Sequence, residues 1–120
     1  MIASLMIAAA VVTAPGVASN GYKCNESGSQ QEMNACAELN FKAAEMELNE
    51  VYENRKAQLT SPQQAVLEQD ERKWLESLDA KCRESANDEA EGGSMWPMVF
   101  WQCKADITKL RITAMRHWKA

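Results

Sequence analysis

The chain has 120 residues, a formal net charge of -4, four cysteines and a single histidine. Its length favours one small domain with a modest hydrophobic core. A pI near 5.0 argues against a nucleic-acid-binding protein. The sequence also lacks a glycine-rich phosphate loop, which argues against a nucleotide site.

Residues 1–18 contain 14 hydrophobic residues and no charged one. The apolar run is too short to span a bilayer, and it ends in a segment with Gly16 and Ala18 at the positions where signal peptidase accepts small side chains. We therefore predict a signal peptide over residues 1–18 and a mature domain over residues 19–120, without a membrane span. Cys24 follows Gly21-Tyr22-Lys23, which does not fit a lipoprotein signal.

A first helix is predicted within residues 30–60, which contain no glycine or proline. Ser29 and Glu32 have the spacing of a capping box at its start. Apolar residues then recur at helical spacing. They are Met33, Ala37, Ala44, Leu48, Val51 and Leu59, with Phe41 and Tyr52 beside them.

A second helix is predicted to start at Ser61, with Gln64 completing another capping box and Pro62 in the first helical position. Its apolar stripe includes one acidic residue. The stripe is Leu67, Glu71, Trp74, Leu78 and Cys82. The polar residues 85–94, which end with Gly92-Gly93-Ser94, predict a loop.

Ser94 is predicted to cap a third helix, with Pro97 in its first turn. Its predicted stripe is Val99, Cys103, Ile107, Leu110 and Ala114, with Trp96, Phe100 and Trp118 alongside. No segment alternates with period two for long enough to predict a strand. The predicted fold is all-α, with three principal helices, of which the first two form an antiparallel hairpin.

The four cysteines, Cys24, Cys36, Cys82 and Cys103, lack the close spacing of most zinc and redox sites. An even number of cysteines in a short exported chain predicts two disulfides. In an antiparallel hairpin Cys36 and Cys82 arrive near the same end. This geometry favours Cys36–Cys82 and Cys24–Cys103, and leaves the other two connectivities open.

Several short motifs follow one another along the chain. They are Gln31-Glu32-Met33-Asn34-Ala35-Cys36-Ala37, Leu48-Asn49-x-x-Tyr52, Trp74, Cys82, Gly92-Gly93-Ser94, Cys103 and Leu110-Arg111. Together they resemble the LprI-type lysozyme inhibitors, small exported bacterial proteins, over residues 24–118. The sequence departs from this family at Glu71, where members often have glutamine, and in lacking the founding member's lipidation signal.

We find no catalytic constellation and predict no metal site or cofactor. The only histidine, His117, is three residues from the end and reads as a helix-end or surface residue. The methionines Met95, Met98 and Met115 could suggest soft metal ligands, but methionine on a helix usually fills the core. The acidic run from Asp88 to Glu91 lacks the spacing of a calcium loop.

Charge separates the chain into two parts. Residues 24–91 carry 16 acidic and 7 basic side chains, whereas residues 104–119 have a net charge of +4. The predicted loop contributes acidic residues that would steer the protein toward a basic partner. The candidate partner-binding residues are Asp88, Glu89, Glu91, Gly92, Gly93, Ser94 and Trp101.

Each of these residues also has a plainer interpretation. A charged loop is often merely solvated, Ser94 is equally well explained as a helix cap, and Trp101 packs readily at the edge of a core. The resemblance implies a periplasmic or secreted protein that inhibits a basic lysozyme by occluding its cleft. The alternative is a structural or interaction protein of the envelope with another partner.

Overall fold

The computed structural model describes residues 24–120, so the predicted signal peptide lies outside the described residues. Within residues 24–120 the chain forms three helices and no strand: α1 (Gln30–Ala57), α2 (Ser61–Ala90) and α3 (Trp96–Arg116). This confirms the all-α prediction and the number of helices.

The helix starts follow the predicted signals, with differences of detail. The hydroxyl of Ser29 caps α1 by accepting from the backbone N–H of Glu32 at 3.2 Å. The Glu32 carboxylate accepts hydrogen bonds from the Ser29 hydroxyl and the Asn25 side chain, and it does not form the second hydrogen bond of a capping box. The box of α2 joins Thr60 to Gln63, one residue earlier than predicted, because Thr60 has the extended backbone of a cap.

The predicted loop over residues 85–94 is wrong for residues 85–90, because α2 continues to Ala90, and is confirmed for residues 91–94. Ala86 is fully buried in the core, and the Asn87 side chain accepts a hydrogen bond from Trp96 Nε1 at 2.8 Å. These contacts extend the helix through a polar sequence. Ser94 does not cap α3: Met95 occupies the cap position, and the Ser94 carbonyl accepts from the Asn34 side chain at 3.0 Å.

The third helix is the centre of the fold. It packs against both α1 and α2, more extensively against α1, whereas α1 and α2 contact each other little. Two buried clusters follow its length. One contains Phe41, Leu78, Cys82, Ala86, Phe100 and Ala105, and the other contains Leu48, Leu67, Ile112 and Met115.

The predicted stripe is confirmed for Val99, Cys103 and Ile107, which pack partly buried against the core, and is wrong for Leu110 and Ala114, which are exposed because two helices pack on α3. Its buried residues are Phe100, Ala105, Thr108, Ile112 and Met115. Leu110, which we placed in the core, is 73% exposed. By contrast, four of the five stripe residues of α2 are buried as predicted, including Glu71, and Trp74 is half-buried.

The preferred disulfide pairing is also wrong. Cys82 bonds Cys103, with the two Cα atoms 5.5 Å apart, and links α2 to α3. The error arose because we expected α1 to pack directly on α2, whereas α3 lies along α2 instead. Cys24 and Cys36 are thiols in this structure, and their side chains are close to each other. Burial, followed by the proximity of Cys24, raises the pKa of the Cys36 thiol to about 11.

We predict that the oxidised protein carries a second disulfide between Cys24 and Cys36, because the two side chains are already neighbours. Peptide mapping without reduction should yield one cross-link between residues 24 and 36 and another between residues 82 and 103. Reduced samples of the same digest are the control. A link from Cys24 to Cys103 would contradict this prediction.

Candidate functional site

The predicted acidic residues lie together where α2 ends. Asp88 and Glu89 are exposed in its last turn, and Glu91 is the residue that caps its end. None of these three carboxylates forms an ion pair with another residue of the described chain. The last turn of α2 contains no basic residue. We call this part of the protein, residues 88–94, the acidic segment.

Gly92, Gly93 and Ser94 are exposed in the connection to α3. Gly92 has φ = 69°, and no atom lies within 4 Å of where a Cβ would stand. Glycine is therefore favoured there by backbone conformation and not by crowding. The Gly93 amide donates to the Ala90 carbonyl at 2.9 Å, which closes the end of the helix.

Trp101 is only half-buried, but it packs as part of the core. Its ring stacks on that of Phe41 with centroids 5.4 Å apart and meets the edge of Phe100 at 5.1 Å. The Lys104 ammonium lies 5.3 Å from the ring centroid. These contacts are with α1 and with neighbours on α3, so they do not join Trp101 to the acidic segment.

A groove that the sequence analysis missed lies between α1 and α2, with α3 at its floor. Its volume is about 540 Å³. Its lining residues are Phe41, Glu45, Leu48, Asn49, Tyr52, Glu53, Lys56, Glu68, Glu71, Arg72, Trp74, Leu75, Leu78 and Thr108. The tyrosine and tryptophan beside the apolar stripes were the available sequence signal, but a groove depends on the separation of two helices.

Two of the four carboxylates that line the groove, those of Glu68 and Glu71, form ion pairs. Lys56 Nζ lies 2.7 Å from the Glu68 carboxylate, and their hydrogen bond raises the pKa of Lys56 and lowers that of Glu68. Burial raises the pKa of Tyr52, whose ring lies 5.9 Å from the same ammonium. Glu45 and Glu53 on α1 pair with no basic residue of the described chain.

Next to the groove, Arg111 on α3 binds two adjacent carboxylates of α2. One guanidinium nitrogen lies 3.0 Å from both Asp70 and Glu71, of which Glu71 is 9% exposed. Trp118 Nε1 also donates to Asp70, at 2.9 Å, and the Trp118 carbonyl accepts from Arg55 of α1. The hydrogen bond from Arg111, with that from Trp118, lowers the pKa of Asp70. This network therefore connects all three helices.

The residues weighed for other chemistry are scattered. His117 is exposed at the end of α3, Met95 is exposed, and Met115 is fully buried in the core. Across residues 24–120 no three His, Cys, Asp or Glu side chains are grouped as they would be to hold a metal ion. None of the three helices combines the length and the apolar character needed to cross a membrane.

Comparisons with known proteins place this structure in a family. A relative from Rhizobium meliloti (strain 1021), named "Uncharacterized protein R02472", is 30% identical over 106 residues, which cover 78% of this chain and 76% of the relative. No solved structure matches the chain. The family model described as "Lysozyme inhibitor LprI" matches residues 23–115, which include all three helices but the last residue of α3. The chain therefore belongs to the LprI family of lysozyme inhibitors.

Proposed function

We propose that this protein is exported and inhibits a lysozyme by binding it, with the acidic segment occupying the substrate cleft of a basic enzyme. The chain would contribute no chemistry, because steric occlusion needs only a complementary surface. Family membership supports the inhibitor role. The observation that carries the placement of the interface is the accumulation of unpaired carboxylates at the C-terminal end of α2.

Those carboxylates are unfavourable for the stability of the helix. The C-terminus of a helix carries a partial negative charge, and an acidic residue there costs about 0.3–1 kcal/mol at an exposed site. Asp88 and Glu89 are also adjacent to each other, and neither forms an ion pair in the described chain. A basic partner would relieve this repulsion on binding, so the same residues would steer its approach and stabilise the complex.

The proposed location rests on two features. Residues 1–18 have the pattern of a signal peptide, and the Cys82–Cys103 disulfide is typical of an oxidising compartment. We therefore propose a periplasmic or secreted protein. We also retain the antiparallel orientation of α1 and α2, which is supported by the pairing of Lys56 with Glu68 close to the turn.

Charge reversal tests the interface. The variant Asp88→Lys/Glu89→Lys/Glu91→Lys should weaken inhibition of a susceptible lysozyme at least about tenfold, because three attractive contacts become repulsive. The measurement is lysozyme activity titrated with the oxidised 19–120 protein at low and physiological salt. The matched control is Glu26→Lys/Glu50→Lys/Glu76→Lys, which makes the same change in net charge at exposed sites elsewhere.

The possible outcomes of this experiment test both the interface and the inhibitor role. If the first variant inhibits as well as the unmodified protein, the acidic segment does not form the interface. If both variants lose inhibition equally, the loss is due to the change in net charge and not to the acidic segment. If the unmodified protein inhibits no lysozyme in a panel, the inhibitor proposal fails. The alternative, an envelope interaction protein with another partner, would then be favoured, since an exposed acidic segment on a disulfide-linked scaffold suits any basic protein.

A further inference from the structure

The groove between α1 and α2 has the dimensions of a helix-binding site. Its lining on α1 extends from Phe41 to Lys56, a distance of about 22 Å, or roughly four helical turns. Because α1 and α2 both pack on α3 and little on each other, the position between them is open on the side away from Thr108. A helix placed there would complete a four-helix arrangement.

The floor of the groove is apolar and contains an incompletely satisfied polar group. Phe41, Leu48 and Leu78 are buried there, and Leu75 on the α2 wall is 49% exposed. Thr108, contributed by α3, is 1% exposed, and its hydroxyl has no hydrogen-bond partner in the described chain. Buried hydroxyls in folded proteins are usually paired, so this one makes the floor of the groove locally unfavourable, but at 1% exposure it lies beneath the surface that a partner would contact.

The α1 wall has a regular polar edge. Glu45, Asn49 and Glu53 line the groove at successive intervals of four residues, and all three are exposed. Residues at this spacing lie on one face of a helix. The two carboxylates are therefore about 12 Å apart along α1. Their lack of an ion pair, while Glu68 and Glu71 are both paired, concentrates the uncompensated negative charge of the groove on this edge, whereas Arg72 contributes a positive charge on the α2 wall.

We propose that this groove binds an amphipathic helix of a protein partner. Large apolar side chains of that helix would contact Leu75, Tyr52 and Trp74, the apolar lining residues that are not fully buried. Lysines or arginines spaced seven or eight residues apart would face Glu45 and Glu53. Grooves of this kind recognise helices through apolar anchors on one face. The site is separate from the acidic segment, since Asp88 lies ten residues beyond Leu78 on α2, about 15 Å along the helix.

A synthetic 15-residue helical peptide of leucine and lysine, labelled with fluorescein, is a suitable probe. Fluorescence anisotropy with the oxidised 19–120 protein should give saturable one-to-one binding. The Glu45→Lys/Glu53→Lys variant should bind at least about tenfold more weakly. The control variant Glu50→Lys/Glu76→Lys makes the same charge change outside the groove lining and should retain affinity.

Two further comparisons separate a groove from a charged surface. Leu75→Asn should also weaken binding without changing the charge, because Leu75 is an exposed apolar residue of the groove wall. A leucine–glutamate peptide with the same apolar pattern should bind poorly. Absence of saturable binding, equal binding of both peptides, or equal losses in the groove and control variants would each overturn the proposal. Circular dichroism of every variant confirms that the helices are retained.

Discussion

Replacing Arg111 with alanine should lower the free energy of unfolding by about 3–5 kcal/mol, the range observed when one partner of a buried ion pair is removed. The arginine side chain and that of Glu71 are each only 12% exposed, so the substitution leaves a carboxylate that water reaches poorly. It also removes a guanidinium stacked 5.3 Å from the Trp74 ring centroid. Urea denaturation followed by circular dichroism measures the change.

Adding Glu71→Leu to the Arg111→Ala variant should recover part of the lost stability, because no unpaired charge is then buried. Arg111→Ala should also lose part of the acid sensitivity of the native protein. Arg111 holds the pKa of Asp70 below its ordinary value of 3.8, so its stabilising contribution is present above pH 3.8 and disappears as the pH falls through the lowered value. A loss below about 1 kcal/mol, typical of surface pairs, would contradict this account.

The Cys82→Ala/Cys103→Ala variant should be less stable by about 3 kcal/mol, which corresponds to a decrease in Tm of roughly 10–20 °C for a domain of this size. The disulfide closes a loop with a sequence separation of 21 residues. It also reinforces the interface of α3 with α2, which is the less extensive of the two that α3 makes. Thermal unfolding of both proteins under non-reducing conditions measures the effect.

The Cys24→Ala/Cys36→Ala variant is the control for that experiment, because it leaves the α2–α3 link in place. Near-ultraviolet circular dichroism should change in the first variant, which loosens α3 and its tryptophans Trp96 and Trp101, and much less in the control. Equal Tm values for the Cys82→Ala/Cys103→Ala variant and the unmodified protein would show that packing alone holds α3 against α2.

The sequence was most informative where a helix buries one face. The stripes of α1 and α2 follow helical periodicity closely enough to place Leu48, Leu67 and even the acidic Glu71 in the interior. The sequence pattern was misleading for α3, because α1 and α2 pack against two sides of this helix. As a result, Leu110 is exposed to solvent while Thr108 is buried. Helical periodicity in a sequence indicates one apolar face of a helix and does not indicate two separate apolar faces.

The candidate site was only partly predictable for a related reason. The acidic segment is continuous in sequence, and its exposed charges could be read directly, although tertiary contacts of Ala86 and Asn87 moved the end of the helix. The Arg111 network joins residues about 40 positions apart, and the groove is lined by residues of all three helices. Their existence depends on how far α1 stands from α2, which no local pattern records.

The central position of α3 has a consequence for how the chain acquires its structure. Most tertiary contacts of α1 are made with the helix farthest from it in sequence, and few with its neighbour. Contacts between distant segments form late and slow folding. The first two helices therefore contact each other too little to form the core by themselves, and the core is completed only when the last 21-residue helix packs against both.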